Sequence, residues 1–179
     1  MTFLVWLAQG IDRFNDAIGR KVAWVGLVMA VVQFSIVLMR YVFEASEIWL
    51  QESILYMHSV LFMLGAGYTL LHNGHVRIDI FYRDASPERK AWADLMGVFF
   101  FLLPVCGALF YIAWPYVIDS WAVREGSRET SGIEAIYLLK TVIPVFAALV
   151  VLQGISMAIH AAAVLTGHEK LRLESPRKL

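Results

Sequence analysis

The chain has 179 residues, of which 59% are hydrophobic and 17% charged, and its mean hydropathy is +0.64. Soluble domains carry about 45–50% apolar and about 25% charged residues, so this composition excludes a soluble globular domain. The formal net charge is zero, which leaves global charge silent about partners, and the single cysteine, Cys106, excludes an internal disulfide and a cysteine-based metal cluster.

Residues 3–20 come first. Phe3, Leu4, Leu7, Ile11, Phe14 and Ile18 recur every three or four positions and form one apolar stripe, with Asp12, Arg13, Asn15 and Asp16 on much of the other face. The same polar residues stand where a signal peptide would carry a small-residue cleavage site, so no cleaved leader is expected. Such a helix suits the plane of the membrane interface; the alternative is a continuation of the first span beyond the bilayer. Four apolar runs follow, at 22–42, 48–71, 92–117 and 137–165. Each meets the length of about 20 residues that a bilayer crossing needs. Residues 166–179 remain as a tail. The expected architecture over 1–179 is therefore a single all-α integral membrane domain with four transmembrane helices, preceded by an interfacial amphipathic helix.

The ends of these runs carry boundary chemistry. Asn73-Gly74 suits a left-handed stop for the second span. Ser86-Pro87-Glu88 offers an N-cap, a first-turn proline and an acidic residue for the third. Ser131-Gly132-Ile133-Glu134 fits a capping box opening the fourth. Pro104, Pro115 and Pro144 fall inside spans, where proline is tolerated and bends the helix. Gly154, Ala158 and Ala162 make a small-residue ridge on the fourth span, and Gly65, Ala66 and Gly67 offer a close-approach surface on the second.

Orientation follows from Lys and Arg. Eleven of the fifteen fall before the first span, between the second and third, or after the fourth; Arg40, Arg124, Arg128 and Lys140 fall on the other side. Both termini and the 72–91 loop are thus expected in the cytoplasm. Ionisable groups inside spans are few. Arg40 and Glu52 sit near outer ends, and Glu44 and Glu47 between them are expected to pair with Arg40 and pin the first hairpin; a substrate or ion contact is the alternative. Asp94 and Lys140 lie within reach of the interface and need no special role.

Five histidines raise a b-type haem anchor for electron transfer as one alternative. His58 lies about 15 Å and His160 about 35 Å below their outer ends, so these two cannot face each other across a haem, whereas His72 and His160 lie at similar depth. A self-sufficient small transporter is the other alternative. No span carries charge at its centre or paired broken segments, which argues against a translocation path within this chain.

Arg40-Tyr41-Val42-Phe43 closes the first span and Glu52 follows. Leu64-Gly65-Ala66-Gly67-Tyr68-Thr69-Leu70 then leads into Gly74-His75-Val76-Arg77-Ile78-Asp79, with Ser120-Trp121, Glu125-Gly126-Ser127-Arg128-Glu129 and Gly132 further on. This series resembles the small membrane subunit (DctQ-type, Q) of tripartite ATP-independent periplasmic (TRAP) transporters, in the branch labelled mannitol/chloroaromatic. The resemblance implies a non-enzymatic, multi-pass protein of the bacterial inner membrane with no cofactor of its own. A periplasmic binding protein (P) would deliver a small organic anion, a carboxylate or sulfonate. A large subunit (M) would carry the sodium sites and the moving element, and this chain would brace it. Arg40, Glu52, His75, Arg77 and Asp79 become candidates for fixing geometry and meeting the large subunit. Glu44, Glu47, Arg124, Glu125, Arg128 and Glu129 become candidates for docking the binding protein.

Overall fold

Within a bilayer no water is available to backbone N–H and C=O groups, so an apolar run can cross only if it satisfies them internally, as a helix does. A computed structural model describes residues 2–75 and 85–167, and among these every regular element is helical. They are α1 (Thr2–Val42), α2 (Ile48–Leu71), α3 (Pro87–Gly97), α4 (Leu103–Ala122) and α5 (Ile136–Leu165), with a π turn at Val98–Leu102 joining α3 to α4. Counting α3, the π turn and α4 as one rod, four helices are long and apolar enough to cross a membrane.

Two helices stop through the same backbone device. At the end of α2, Gly74 N–H donates to Thr69 C=O at 2.8 Å and Asn73 N–H to Leu70 C=O at 3.2 Å. At the end of α4, Glu125 N–H donates to Ser120 C=O at 3.0 Å and Arg124 N–H to Trp121 C=O at 3.2 Å. Both are Schellman closures that satisfy the last carbonyls. The left-handed residue is Asn73 (φ 52°) or Arg124 (φ 46°), so Asn73 rather than Gly74 carries the turn out of α2. Ser86 caps α3 as its sequence suggests, accepting from Arg89 N–H at 3.4 Å with Pro87 in the first turn. The capping box at Ser131–Glu134 does not form. α5 starts at Ile136 with Ala135 at its N-cap, and the Ile133 N–H is donated to Glu52.

The boundary expected near residues 20–22 is also absent. α1 runs unbroken for 41 residues, about 60 Å, because Gly19-Arg20-Lys21 contains neither a proline nor a left-handed residue. Its two parts nevertheless run in different company. Gly19 lies on Tyr68 and Gly26 on Leu61, so this stretch descends antiparallel along α2. From Asn15 back to Leu4, α1 advances about 16 Å while its partners on α5 stay between Gln153 and Ala162. The N-terminal third thus packs on the second half of α5 and not on α2 alone. Its faces are the reverse of a water-soluble amphipathic helix. Ala8, Asp12, Asn15, Gly19 and Val22 are buried at alternating steps of four and three, while Phe3 and Phe14 on the apolar stripe are 71% and 52% exposed.

α5 is the hub. It touches α1, α2, α3, the π turn and α4, whereas among the described residues α4 meets neither α1 nor α2. The α3–α4 rod grips α5 with Ala91, Val98, Cys106, Ala113 and Ser120. These recur every seventh residue except for one interval of eight, and that interval spans the π turn. A π turn holds one residue more than an α turn, so it absorbs the surplus and keeps the buried stripe pointed at α5. It also leads into Pro104, which has no N–H to give to an α-helical partner. Gly154 on α5 accepts Leu102 here, so the Gly154–Ala158–Ala162 ridge is partly filled by this chain's own third rod.

A methyl group at Gly19 would lie 2.3 Å from Tyr68 Cβ and Cγ, atoms too near the backbone to swing aside, whereas Gly10 has nothing within 4 Å. Gly19→Ala is expected to destabilise the protein by about 1–3 kcal/mol. Gly10→Ala should be neutral or stabilising by up to about 1 kcal/mol. Thermal unfolding in detergent compares the two directly.

Candidate functional site

Polar side chains gather at the two ends of the bundle. At the end carrying residues 123–135, Glu52 projects from the second turn of α2 and accepts from Ser127 Oγ and from Ile133 N–H at 2.6 Å. A Cβ at Gly132 would come 2.1 Å from Ser127 Oγ and 2.7 Å from Glu52 Oε2, so the loop lies flat on this carboxylate only because residue 132 has no side chain. A few residues earlier Glu125 accepts from Ser120 Oγ at 2.7 Å and from Lys140 Nζ, while the Lys140 ammonium lies 3.9 Å from the centre of the Tyr116 ring. Trp121 Nε1–H donates to Thr141 Oγ1 at 2.8 Å. The hydrogen bonds from Lys140 first and Ser120 second hold the Glu125 carboxyl below the usual glutamate range, outweighing the desolvation that opposes them.

At the opposite end the central group is Asp12. Its Oδ1 accepts from Gln153 Nε2 at 2.9 Å and from Ser156 Oγ at 2.6 Å, and its Oδ2 lies 3.3 Å from His160 Nε2. Asn15 Nδ2 donates to Gln153 Oε1 at 2.9 Å and packs against Gly67. Asp12, Asn15, Gln153 and Ser156 are all buried. Beside them a polar groove of about 310 Å³ is lined by Gln9, Arg13, Asp16, Arg20 and His72; in it Asp16 bridges Arg20 at 2.7 Å and His72 at 2.9 Å. Both clusters tie one helix to another. Among the described residues no group of three or more His, Cys, Asp or Glu stands in metal-binding proximity.

The comparisons bear on this arrangement. Residues 22–164 match the family described as "Tripartite ATP-independent periplasmic transporters, DctQ component", well over half of the chain. The chain belongs to the DctQ family. Curated proteins and solved structures each return no match. As a DctQ component with four membrane-length helices, it is a multi-pass transporter subunit of a heteromeric assembly.

The residues singled out from the sequence fare unevenly in this DctQ chain. Glu52 is a geometry-fixing group, but it holds the 127–133 loop and not Arg40. Arg40 stands exposed in the last turn of α1, where its charge complements the helix dipole, and among the described residues it makes no ion pair with Glu44 or Glu47. Glu44 takes a left-handed turn (φ 51°) that closes the helix instead. Glu44, Glu47, Arg124, Arg128 and Glu129 are exposed, whereas Glu125 is turned onto Lys140 and keeps 33% of its side chain accessible. Lys140, expected to need no role, is that partner. His75 is exposed; Arg77 and Asp79 lie outside the described residues. Sequence reasoning missed Asp12, Gln153, Ser156 and His160 as a set. The available signal was Gln153, Ser156 and His160 at steps of three and four on α5, the same face that the 8–12–15–19 stripe of α1 needs.

Asp12→Ala would remove the acceptor shared by the buried Gln153 and Ser156 and the partly buried His160 and should cost about 3 kcal/mol or more, with Asp12→Asn milder because it keeps a carbonyl. Equal unfolding temperatures for wild type and Asp12→Ala would refute the role given to this carboxylate. The lowered Glu125 pKa makes its stabilisation fully present above the ordinary glutamate value of about 4.3 and lost as pH falls through the depressed value. In a single-tryptophan variant retaining Trp121, fluorescence should stay flat from neutrality down to about pH 5 and change only in stronger acid. Glu125→Gln should abolish that acid step.

Proposed function

We propose that this DctQ chain is the small scaffold subunit of a binding-protein-dependent, sodium-coupled importer of a small organic anion in the bacterial inner membrane. In this reading both termini face the cytoplasm and the 123–135 loop faces the periplasm. The large subunit moves substrate and sodium, and this chain braces it. The observation that carries the reading is the use made of polar groups. Asp12, Gln153, Ser156, Glu52, Glu125 and Lys140 bond to other parts of the same chain, which builds a frame rather than a lined path. The exposed charges Glu44, Glu47, Arg124, Arg128 and Glu129 sit on turns fixed from beneath, as suits a surface that receives a binding protein. His72 and His160 each direct Nε2 at a carboxylate, Asp16 and Asp12, which weighs against those nitrogens serving as axial ligands to a haem.

Reconstitution into liposomes tests the assignment. With an inward sodium gradient and a panel of carboxylates and sulfonates, uptake should need this chain, the large subunit and the binding protein together. Uptake by this chain alone would refute the scaffold role. Within the complete system, Arg128→Glu should raise the binding-protein concentration needed for half-maximal uptake while leaving the maximal rate near wild type.

A further inference from the structure

α2 packs against α1 and α5, yet one of its faces remains open. Gln51, Leu55, His58 and Phe62 are all exposed, and Gly65 follows on the same face with nothing within 4 Å of the place a Cβ would occupy. Their steps of four, three, four and three make one continuous helical stripe. His58 stands about 15 Å from the Ile48 end of the helix, close to mid-span. Its ring stacks on Phe62 with centroids 6.3 Å apart, and neither ring nitrogen finds a hydrogen-bond partner among the described residues.

Lipid is a poor neighbour for that group. An imidazole at this depth has no water to bond, and ionisable residues within spans face protein or a wet cavity. On the α3–α4 rod, Phe100, Phe101 and Ile112, exposed by 68%, 72% and 69%, are hydrocarbon side chains that match lipid tails. Gln33 on α1 is also exposed at mid-span, but Gly26 on that helix already meets Leu61 at 3.5 Å, whereas the α2 stripe joins its polar group to an open glycine position. Glycine at a helix face lets a second helix approach closely, the usual means of association where lipid supplies no hydrophobic drive.

We propose that this α2 stripe is the surface covered by the large transport subunit. A transmembrane helix of that subunit seats against Gly65 and presents a polar group to the His58 imidazole at mid-membrane depth. The inference rests on the scaffold reading above and adds to it the face and the contact. A second copy of this chain is the competing occupant; parallel pairing of two α2 helices would set His58 against His58.

A photoreactive amino acid at Leu55 or Phe62, in the complete complex in native membranes, tests the face, with the same probe at Ile112 as the lipid-facing control. Adducts with the mass of this chain plus the large subunit are expected from positions 55 and 62 and not from 112. His58→Leu should lower co-purified large subunit about fivefold, whereas His58→Gln, which keeps hydrogen-bonding capacity, should retain most of it. Thermal unfolding of each purified variant verifies that the chain itself still folds. In an intact complex, adducts from 55 and 62 only to lipid or to a second copy, or wild-type yield from His58→Leu, would overturn this face. Failure of the wild-type chain to co-purify with any large subunit would overturn the scaffold reading and this inference together.

Discussion

One carboxylate decides how the bundle is assembled. Asp12 is placed by α1 where three donors from successive turns of α5 converge, which fixes the level at which the N-terminal third of α1 meets α5. Charge-assisted hydrogen bonds are strong in a medium of low polarity, and the same medium makes an unpaired carboxylate costly. The contact is therefore held from both sides, by what it gains and by what any slippage would lose. Other contacts follow from it. Asn15 reaches Gln153 over Gly67, Gly19 settles on Tyr68, and Leu4 swings far enough to close an apolar cleft of about 290 Å³ against Leu95, Val98 and Ile159.

Glu52 does a matching task at the other end by a different route. α2 and α4 do not touch, so the two halves of the bundle are joined there by the 123–135 loop and by α5. That loop is fastened twice. Glu125 ties it to α4 and α5 through Ser120 and Lys140, and Glu52 ties its far side to α2. Arg124, Arg128 and Glu129 consequently stand on a rigid platform rather than a free strand. Glu125, bonded to Lys140 and Ser120, is the anchoring member of this run of adjacent charges.

Much of the architecture was legible in the residues. The four apolar runs, the Asn73-Gly74 stop and the Ser86 cap depend on local chemistry, and each appears where its own neighbours require. The direction in which residues 3–20 face was not legible. Beside water an amphipathic helix turns its apolar side inward, but beside lipid the apolar side can face out, and periodicity is identical in the two cases. The pairings of Asp12 with Gln153 and of Glu52 with Ile133 join residues far apart in the chain, where spacing carries no signal. Arg40 and Glu44 illustrate the converse. They are near in sequence and opposite in charge, yet the left-handed turn at Glu44 serves the helix end and no ion pair forms.

The π turn between α3 and α4 has a consequence for how this rod tolerates change in length. Removing one residue between Gly107 and Ile112 of α4 rotates everything beyond it by about 100° and turns Ala113 and Ser120 away from α5. Removing one within Val98–Leu102 converts the wide turn to an ordinary one and leaves the gripping face in phase. The rod thus contains a built-in vernier, five residues long, at which the chain can lose a residue while its helix stays aligned with its partner.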